Sequence, residues 1–313
     1  MQSHKLDPLH FAVERAWQAG IAVVVSAGND GNSQELRNPA SDPYVIAVGA
    51  SDAKSTSRVS DDVVASFSNC GTRERHVDVV APGKSLISLR ATGSKADVEN
   101  PGARVGSSLF KGSGTSQSAA VVSGAAALII DKYPSINPDQ VKALLMGSAQ
   151  AISGSALCQG AGSVNLEVAL KMGPTKTSQS HGWSYGTGSI HTTRGSQIVF
   201  DNGVPLKGEI DIFGNAFSTE RWVKVTSSGA SWSSGNWNGA SWSGASWSGA
   251  SWSGASWSGA SWSGASWSSK SWSGASWSGA SWSGASWSGA SWSGASWSGD
   301  AWNGLSWNGP LPR

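Results

Sequence analysis

The stretch Gly112-Ser113-Gly114-Thr115-Ser116-Gln117-Ser118-Ala119-Ala120 leads straight into an apolar helical segment. A serine at that junction, Ser116, is a candidate nucleophile. Its hydroxyl is a weak nucleophile at neutral pH and needs a general base. The start of a helix does supply backbone N–H groups and the positive end of the helix dipole, which suit a developing oxyanion. A second donor is Asn29, in Ser26-Ala27-Gly28-Asn29-Asp30-Gly31, directly after an apolar run. Its side-chain amide is placed to serve the same oxyanion. The plain alternative for Ser116 is a helix N-cap without chemistry.

Several elements must position these two residues. Pro8 to Ala19 is amphipathic, with Leu9, Ala12, Val13 and Ala16 on one face, and Gly20 stops it. Ile21 to Val25, Val45 to Ala50 and Val77 to Val80 are apolar runs of the kind that form strands buried on both faces of a parallel sheet. Ser116 to Lys132 is a long Ala-rich helix with Gly124 inside it, and Pro134 and Pro138 frame the turn to a shorter helix, Asp139 to Met146. Alternating helices and apolar strands predict an α/β domain, a parallel sheet with helices on both faces, over residues 1–172. Residues 173–229 read as a polar, Gly-rich connector with short β pieces such as Gln197 to Phe200 and a turn at Asp201-Asn202-Gly203.

Composition narrows the function classes. The 313 residues carry a net charge of +2, and the charged fraction of 13% is low for a globular protein. No basic patch points to nucleic acid. No apolar run reaches the length of a transmembrane helix. Residues 1–20 contain His4, Lys5, Asp7, Glu14 and Arg15, so they do not read as a signal peptide. Cys70 and Cys158 form either one bridge or two free thiols. Nothing in the pattern calls for a cofactor or a metal. His4 and His10 at the first helix, His76 before a strand, and His181 and His191 in the connector read as solvated or structural.

Taken together, these motifs resemble the subtilisin-like serine proteases, the subtilases. Val23 to Gly31 looks like the segment with the family's oxyanion asparagine, and Pro39 through Ala50 follows it as in that family. Ala65-Ser66-Phe67-Ser68-Asn69 and Val79-Val80-Ala81-Pro82-Gly83 come next, then the nucleophile motif Gly114-Thr115-Ser116, then Gln159 to Asn165 as the closing motif. The resemblance implies a serine endopeptidase that cleaves polypeptides through an acyl-enzyme. It assigns Ser116 as nucleophile and Asn29 to the oxyanion hole, and makes Ser26, Ala27 and Gly28 one wall of the substrate pocket. It also implies an extracellular or cell-surface location.

Two departures matter. Ala120 and Val121 stand where the family usually carries Pro-His after the serine. In the family the order along the chain is Asp, His, Ser, and the motifs bearing the Asp and His do not occur before Asn29 here. The chain is therefore expected to begin inside the family fold and, alone, to be an inactive and poorly folded fragment. The alternative reading is a non-catalytic extracellular surface or adhesion protein that keeps a protease-like half-domain.

Residues 230–313 are an array of Ala-Ser-Trp-Ser-Gly pentapeptides, and 16 of the 19 tryptophans recur there every five residues. An odd period puts successive indoles on opposite sides of an extended strand. The register is similar to that of pentapeptide-repeat β-helices, with four pentapeptides to a coil, so a β-solenoid is one expectation and disorder the other. Contact with glycans or a cell surface is the functional expectation for the array. A spacer or self-associating stalk is the structural one.

Overall fold

The computed structural model describes residues 3–195, most of 200–227, and short backbone segments beyond. It divides into two compact units, Met1–Thr219 and Glu220–Arg313.

In the first unit, α1 (Pro8–Gln18) starts where Asp7 Oδ1 accepts the backbone N–H groups of Leu9 and His10, with Pro8 in the first turn. It ends at Gly20, whose φ of +88° is the left-handed conformation that glycine adopts most readily after a helix. The sheet follows. β1 (Val24–Ser26), β2 (Ile46–Asp52) and β4 (Val79–Pro82) run parallel, with β2 in the middle. β3 (Val63–Val64) pairs antiparallel with the end of β2. The sheet is thus mixed rather than purely parallel as expected, because the chain after β2 turns back through a short loop instead of a helical crossover.

Alternation along β2 and β4 builds two cores. Ile46, Val48, Val79 and Ala81 face Val122, Ala125, Ala126 and Ile129 of α3 (Thr115–Lys132), with Trp17 of α1 and Leu144 and Leu145 of α4 (Pro138–Gly147). Full burial of each Val, Leu or Ile among them contributes roughly 1.5–3 kcal/mol. Ala47 and Val80 point the other way and pack with Ala27, Leu36, Ala40 and Ile152. Leu36, Ala40 and Ile152 lie outside the helices, so this second core is closed by loops, where helices on both faces had been expected. Between β4 and α3, β5 (Leu86–Leu89), β6 (Arg104–Val105) and β7 (Leu109–Gly112) form a separate antiparallel sheet. The short helix α2 (Lys95–Glu99) precedes β6, and its buried Asp97 takes charge-assisted bonds from Arg90 and Arg104.

α4 opens with a capping box between Asn137 and Gln140. The short α5 (Ala156–Gln159) carries Cys158, which is bonded to Cys70, so the two cysteines are one disulfide rather than free thiols. After α6 (Leu166–Met172) the chain returns along the body. Gln179 bonds Asp139 and the Tyr44 carbonyl, the Trp183 ring stacks on Tyr44 at 3.9 Å, and Ser184 N donates to Glu14 Oε2. Of the predicted β piece and turn, Gln197 to Val199, Asn202 and Gly203 lie outside the described residues; the flanking pairs Phe200–Asp201 and Val204–Pro205 are antiparallel.

The Ala-Ser-Trp-Ser-Gly array falls in the second unit and lies largely outside the described residues. Its described backbone consists of two- and three-residue strands. Five pairings are parallel at a spacing of twenty residues, for example Trp247 opposite Trp267 and Trp257 opposite Trp277.

Candidate active site

Asn29 meets Thr115, the residue before Ser116, where the C-terminal end of β1 reaches the N-terminus of α3. Two contacts hold the helix start against β4. Gly114 N donates to Gly83 O at 2.8 Å, and Ser118 Oγ donates to Ala81 O at 2.9 Å. Gly83 is required by space, since a Cβ there would sit 2.1 Å from Ser118 Oγ and 2.9 Å from Gly114 O. The helix start is tied to β1 through Thr115. Its backbone N–H donates to Asn29 Oδ1 at 2.8 Å, its hydroxyl lies 3.0 Å from the same oxygen, and Gly28 N donates to that hydroxyl at 3.2 Å.

These contacts fix the orientation of Asn29. Its Oδ1 must be the oxygen, because it accepts an N–H, and its Nδ2 is left as a donor. Nδ2 and the Ser116 backbone N–H have no hydrogen-bond partner among the described residues, and Asn29 and Ser116 are both exposed. Two unsatisfied donors therefore accompany the serine hydroxyl at a helix N-terminus, where the dipole adds to both. The arrangement can stabilise an oxyanion formed on a carbonyl attacked by Ser116.

The loop carrying Asn29 is braced by a residue to which the sequence assigned no role. Asn69 is fully buried, and its Oδ1 accepts Asp30 N at 2.6 Å while its Nδ2 donates to Asp30 Oδ2 and to Glu35 O. Arg37 closes the same loop with two 2.7 Å bonds to Asp30. The Arg37 guanidinium, with Asn69, holds the Asp30 carboxyl down at about 2. Gly28, at φ +118°, has no room for a side chain, since a Cβ would lie 2.6 Å from Asn69 Nδ2. Asn69 appeared in the sequence only as the end of the Ala65–Asn69 motif. Its bonds reach backbone groups more than thirty residues away, and no periodic pattern encodes that.

Of the three residues expected to line one wall of a substrate pocket, Ala27 is fully buried in the second core, whereas Ser26 and Gly28 are half-buried at the end of β1. None of the five histidines hydrogen-bonds Ser116. His10 is bonded to Ser41, His76 to the Val77 carbonyl, His191 to Gly208 N, and His181 N to the Tyr44 hydroxyl.

The model of the subtilase family matches residues 2–188. The chain belongs to the subtilase family. Among its relatives, Serine protease AprX of Bacillus subtilis (strain 168) is 44% identical over 166 residues, covering 51% of this chain and 38% of that protein. Subtilisin DY of Bacillus licheniformis is 34% identical over 163 residues, covering 51% of this chain and 50% of its own length. This subtilase thus spans half or less of the length of these relatives. Among solved structures it is similar to fervidolysin from Fervidobacterium pennivorans, a keratinolytic enzyme related to subtilisin, at 31% identity over 57% of this chain and 25% of that one, with a TM-score of 0.43. No described helix is long and apolar enough to cross a membrane.

Proposed function

We propose that this subtilase is the nucleophile-bearing half of a serine endopeptidase that cleaves polypeptides through an acyl-enzyme. Ser116 Oγ attacks the scissile carbonyl, and Asn29 Nδ2 and Ser116 N receive the oxyanion. An acyl-enzyme then forms as the amine leaves, and water hydrolyses it. Ser26 and Gly28 border the substrate beside the nucleophile. The observation that carries the reading is the pair of unpartnered donors fixed beside Ser116 by Thr115.

The base and its orienting carboxylate come, in this reading, from a polypeptide segment outside these 313 residues. Two observations support that. No histidine is bonded to Ser116, and α3, which the sheet covers on one side, exposes Val121, Leu128 and Ile130 on the other, at 42%, 52% and 39%. Gly124 on the same helix has open space where a side chain would be. An apolar helix face beside an open edge of β1 fits the rest of a catalytic domain. The 313-residue chain alone is then inactive. The disulfide favours an extracellular location.

The test has two parts. DNA upstream of the Met1 codon is translated in frame and searched for the family's Asp and His motifs. The polypeptide that carries them together with this chain is then treated with a fluorophosphonate. Labelling of Ser116, abolished by Ser116→Ala, is expected. Absence of any such motif, with no labelling of the chain from its native source, favours the surface-protein reading.

We further infer that the tryptophan array coils as a parallel β-solenoid of four pentapeptides per turn and presents its indoles to glycans or a cell surface. Backbone pairing at a twenty-residue spacing supports the coil. Failure of residues 220–313 to pull down any cell-wall polymer removes the glycan role.

A further inference from the structure

We propose that His4, His10 and Asp42, with Glu14 beside them, form a binding site for one divalent transition-metal ion of the zinc class. One ligand atom from each of His4, His10 and Asp42 lies within 4.8 Å of the others. Bonds of about 2.0–2.2 Å to a tetrahedral zinc ion place ligand atoms roughly 3.4 Å apart, so a small inward movement completes the set. His4, half-buried on the turn before α1, is the least buried of the three and therefore the ligand best placed to make that movement.

The atoms that would bind are the ones that no N–H or hydroxyl group reaches. Seven buried side-chain nitrogen or oxygen atoms among the described residues take no bond from an N–H or hydroxyl group, and four of them fall here: His4 Nδ1, His10 Nδ1, Asp42 Oδ2 and Glu14 Oε1, the last two residues interacting with each other through their carboxyl groups. His10, Asp42 and Glu14 are 3%, 0% and 2% exposed. Each of these three has its other polar atom held. His10 Nε2 is bonded to Ser41 Oγ at 3.0 Å, Asp42 Oδ1 accepts Tyr44 N at 2.8 Å, and Glu14 Oε2 accepts Ser184 N at 2.7 Å. With Nε2–H donating to Ser41, the His10 Nδ1 lone pair is left to bind a cation. Orienting a ligand through its second polar atom is the usual support of a metal centre.

The simpler account is an ion pair between His10 and Asp42. Its atoms are 3.9 Å apart, beyond hydrogen-bond reach, and even with Glu14, pushed up to about 8 by burial and by Asp42, held as a neutral acid against Asp42, it leaves the buried His4 Nδ1 without a partner. Two imidazoles with carboxylates suit zinc and its neighbours rather than calcium or magnesium, which take oxygen ligands. The site departs from the expectation of no metal, since the ligands come from a helix, the segment before it and a turn beyond β1. Bound metal ties those three together, and Glu14 extends the tie to the returning segment at Ser184.

The test uses the full 313-residue chain, stripped with a chelator and titrated with Co²⁺ and then Zn²⁺. One equivalent of Co²⁺ giving a visible ligand-field band that Zn²⁺ displaces is expected. His4→Ala and Asp42→Asn each weaken Zn²⁺ binding at least tenfold, while His191→Ala leaves it unchanged. If Asp42→Asn does not fold, His4→Ala decides, because its side chain is outside the core; circular dichroism checks that it is folded. Absence of saturable binding, or equal affinity in wild type and His4→Ala, overturns the site.

Discussion

The Asn29 carboxamide oxygen lies 2.8 Å from the Thr115 backbone nitrogen, across 86 residues of sequence. That one contact sets which way the amide points and leaves its Nδ2 as a donor at the start of α3, one residue from the proposed nucleophile. In the assembled protease, Asn29→Ala should therefore lower kcat by about 10²–10³ with little change in KM, the effect of removing one oxyanion donor. Thr115→Val keeps the backbone bond but loses the hydroxyl link to Asn29 and Gly28. It should cost less than Asn29→Ala, and still in kcat. Steady-state kinetics on a peptide substrate separates the two. A change confined to KM for Asn29→Ala would remove it from the oxyanion hole.

Gly83 sits at the exit of β4, where its carbonyl accepts Gly114 N at the start of α3. An alanine there would place its methyl 2.1 Å from Ser118 Oγ and 2.7 Å from the Ala50 methyl. Ser118 would have to give up its bond to Ala81 O, and the helix start would move. Overpacking of this kind costs about 1–3 kcal/mol. Urea denaturation of Gly83→Ala should show that loss, and Ser118→Ala should recover part of it by removing the nearest atom.

How much of this could be read from the sequence depended on the range of the interactions. α3, β2 and β4 were legible because their apolar residues recur at helical or strand spacing and are buried accordingly. Ser116 and Asn29 were legible as motifs at element boundaries. The antiparallel sheet of residues 86–112 was not, because Ile87 and Leu89 are 54% and 83% exposed and no core imposes a pattern on it. The returning segment was equally silent. Its anchors, Trp183 on Tyr44 and Ser184 on Glu14, are single side chains in a polar Gly-rich stretch. Thr115 and Asn69 were missed as positioning residues for the same reason: their partners are backbone groups distant in the sequence.

The Cys70–Cys158 bond closes a loop of 88 residues and is anchored one residue from Asn69. Closing a loop of that size restricts the unfolded chain, and its loss costs about 2–5 kcal/mol. Cys70→Ser with Cys158→Ser should lower the urea midpoint by a corresponding amount. Because Asn69 braces the Asn29 loop, the same variant should also show faster amide hydrogen exchange at Asp30 and Gly31. A midpoint unchanged between oxidised and reduced protein would show that the bond contributes nothing to stability.

Lys142 gives the fold a pH dependence of defined sign. Its ammonium is buried on α4, donating to Pro43 O and Val45 O and lying 3.3 Å from Asp78. Burial pulls it from 10.5 down to about 8, and the attraction of Asp78 opposes the fall only in part. Between about pH 8 and 10.5 the folded chain has released a proton that the unfolded chain still holds, so stability rises with pH across that window. The full swing is on the order of 3 kcal/mol. Tyr44, held above its ordinary value by burial, acts in the opposite direction at higher pH. The clean measurement is therefore a difference. Urea midpoints of wild type and Lys142→Met should converge or cross in favour of wild type as pH rises from 8 to 10. Parallel lines over that range would mean that Lys142 keeps its ordinary basicity in the folded state.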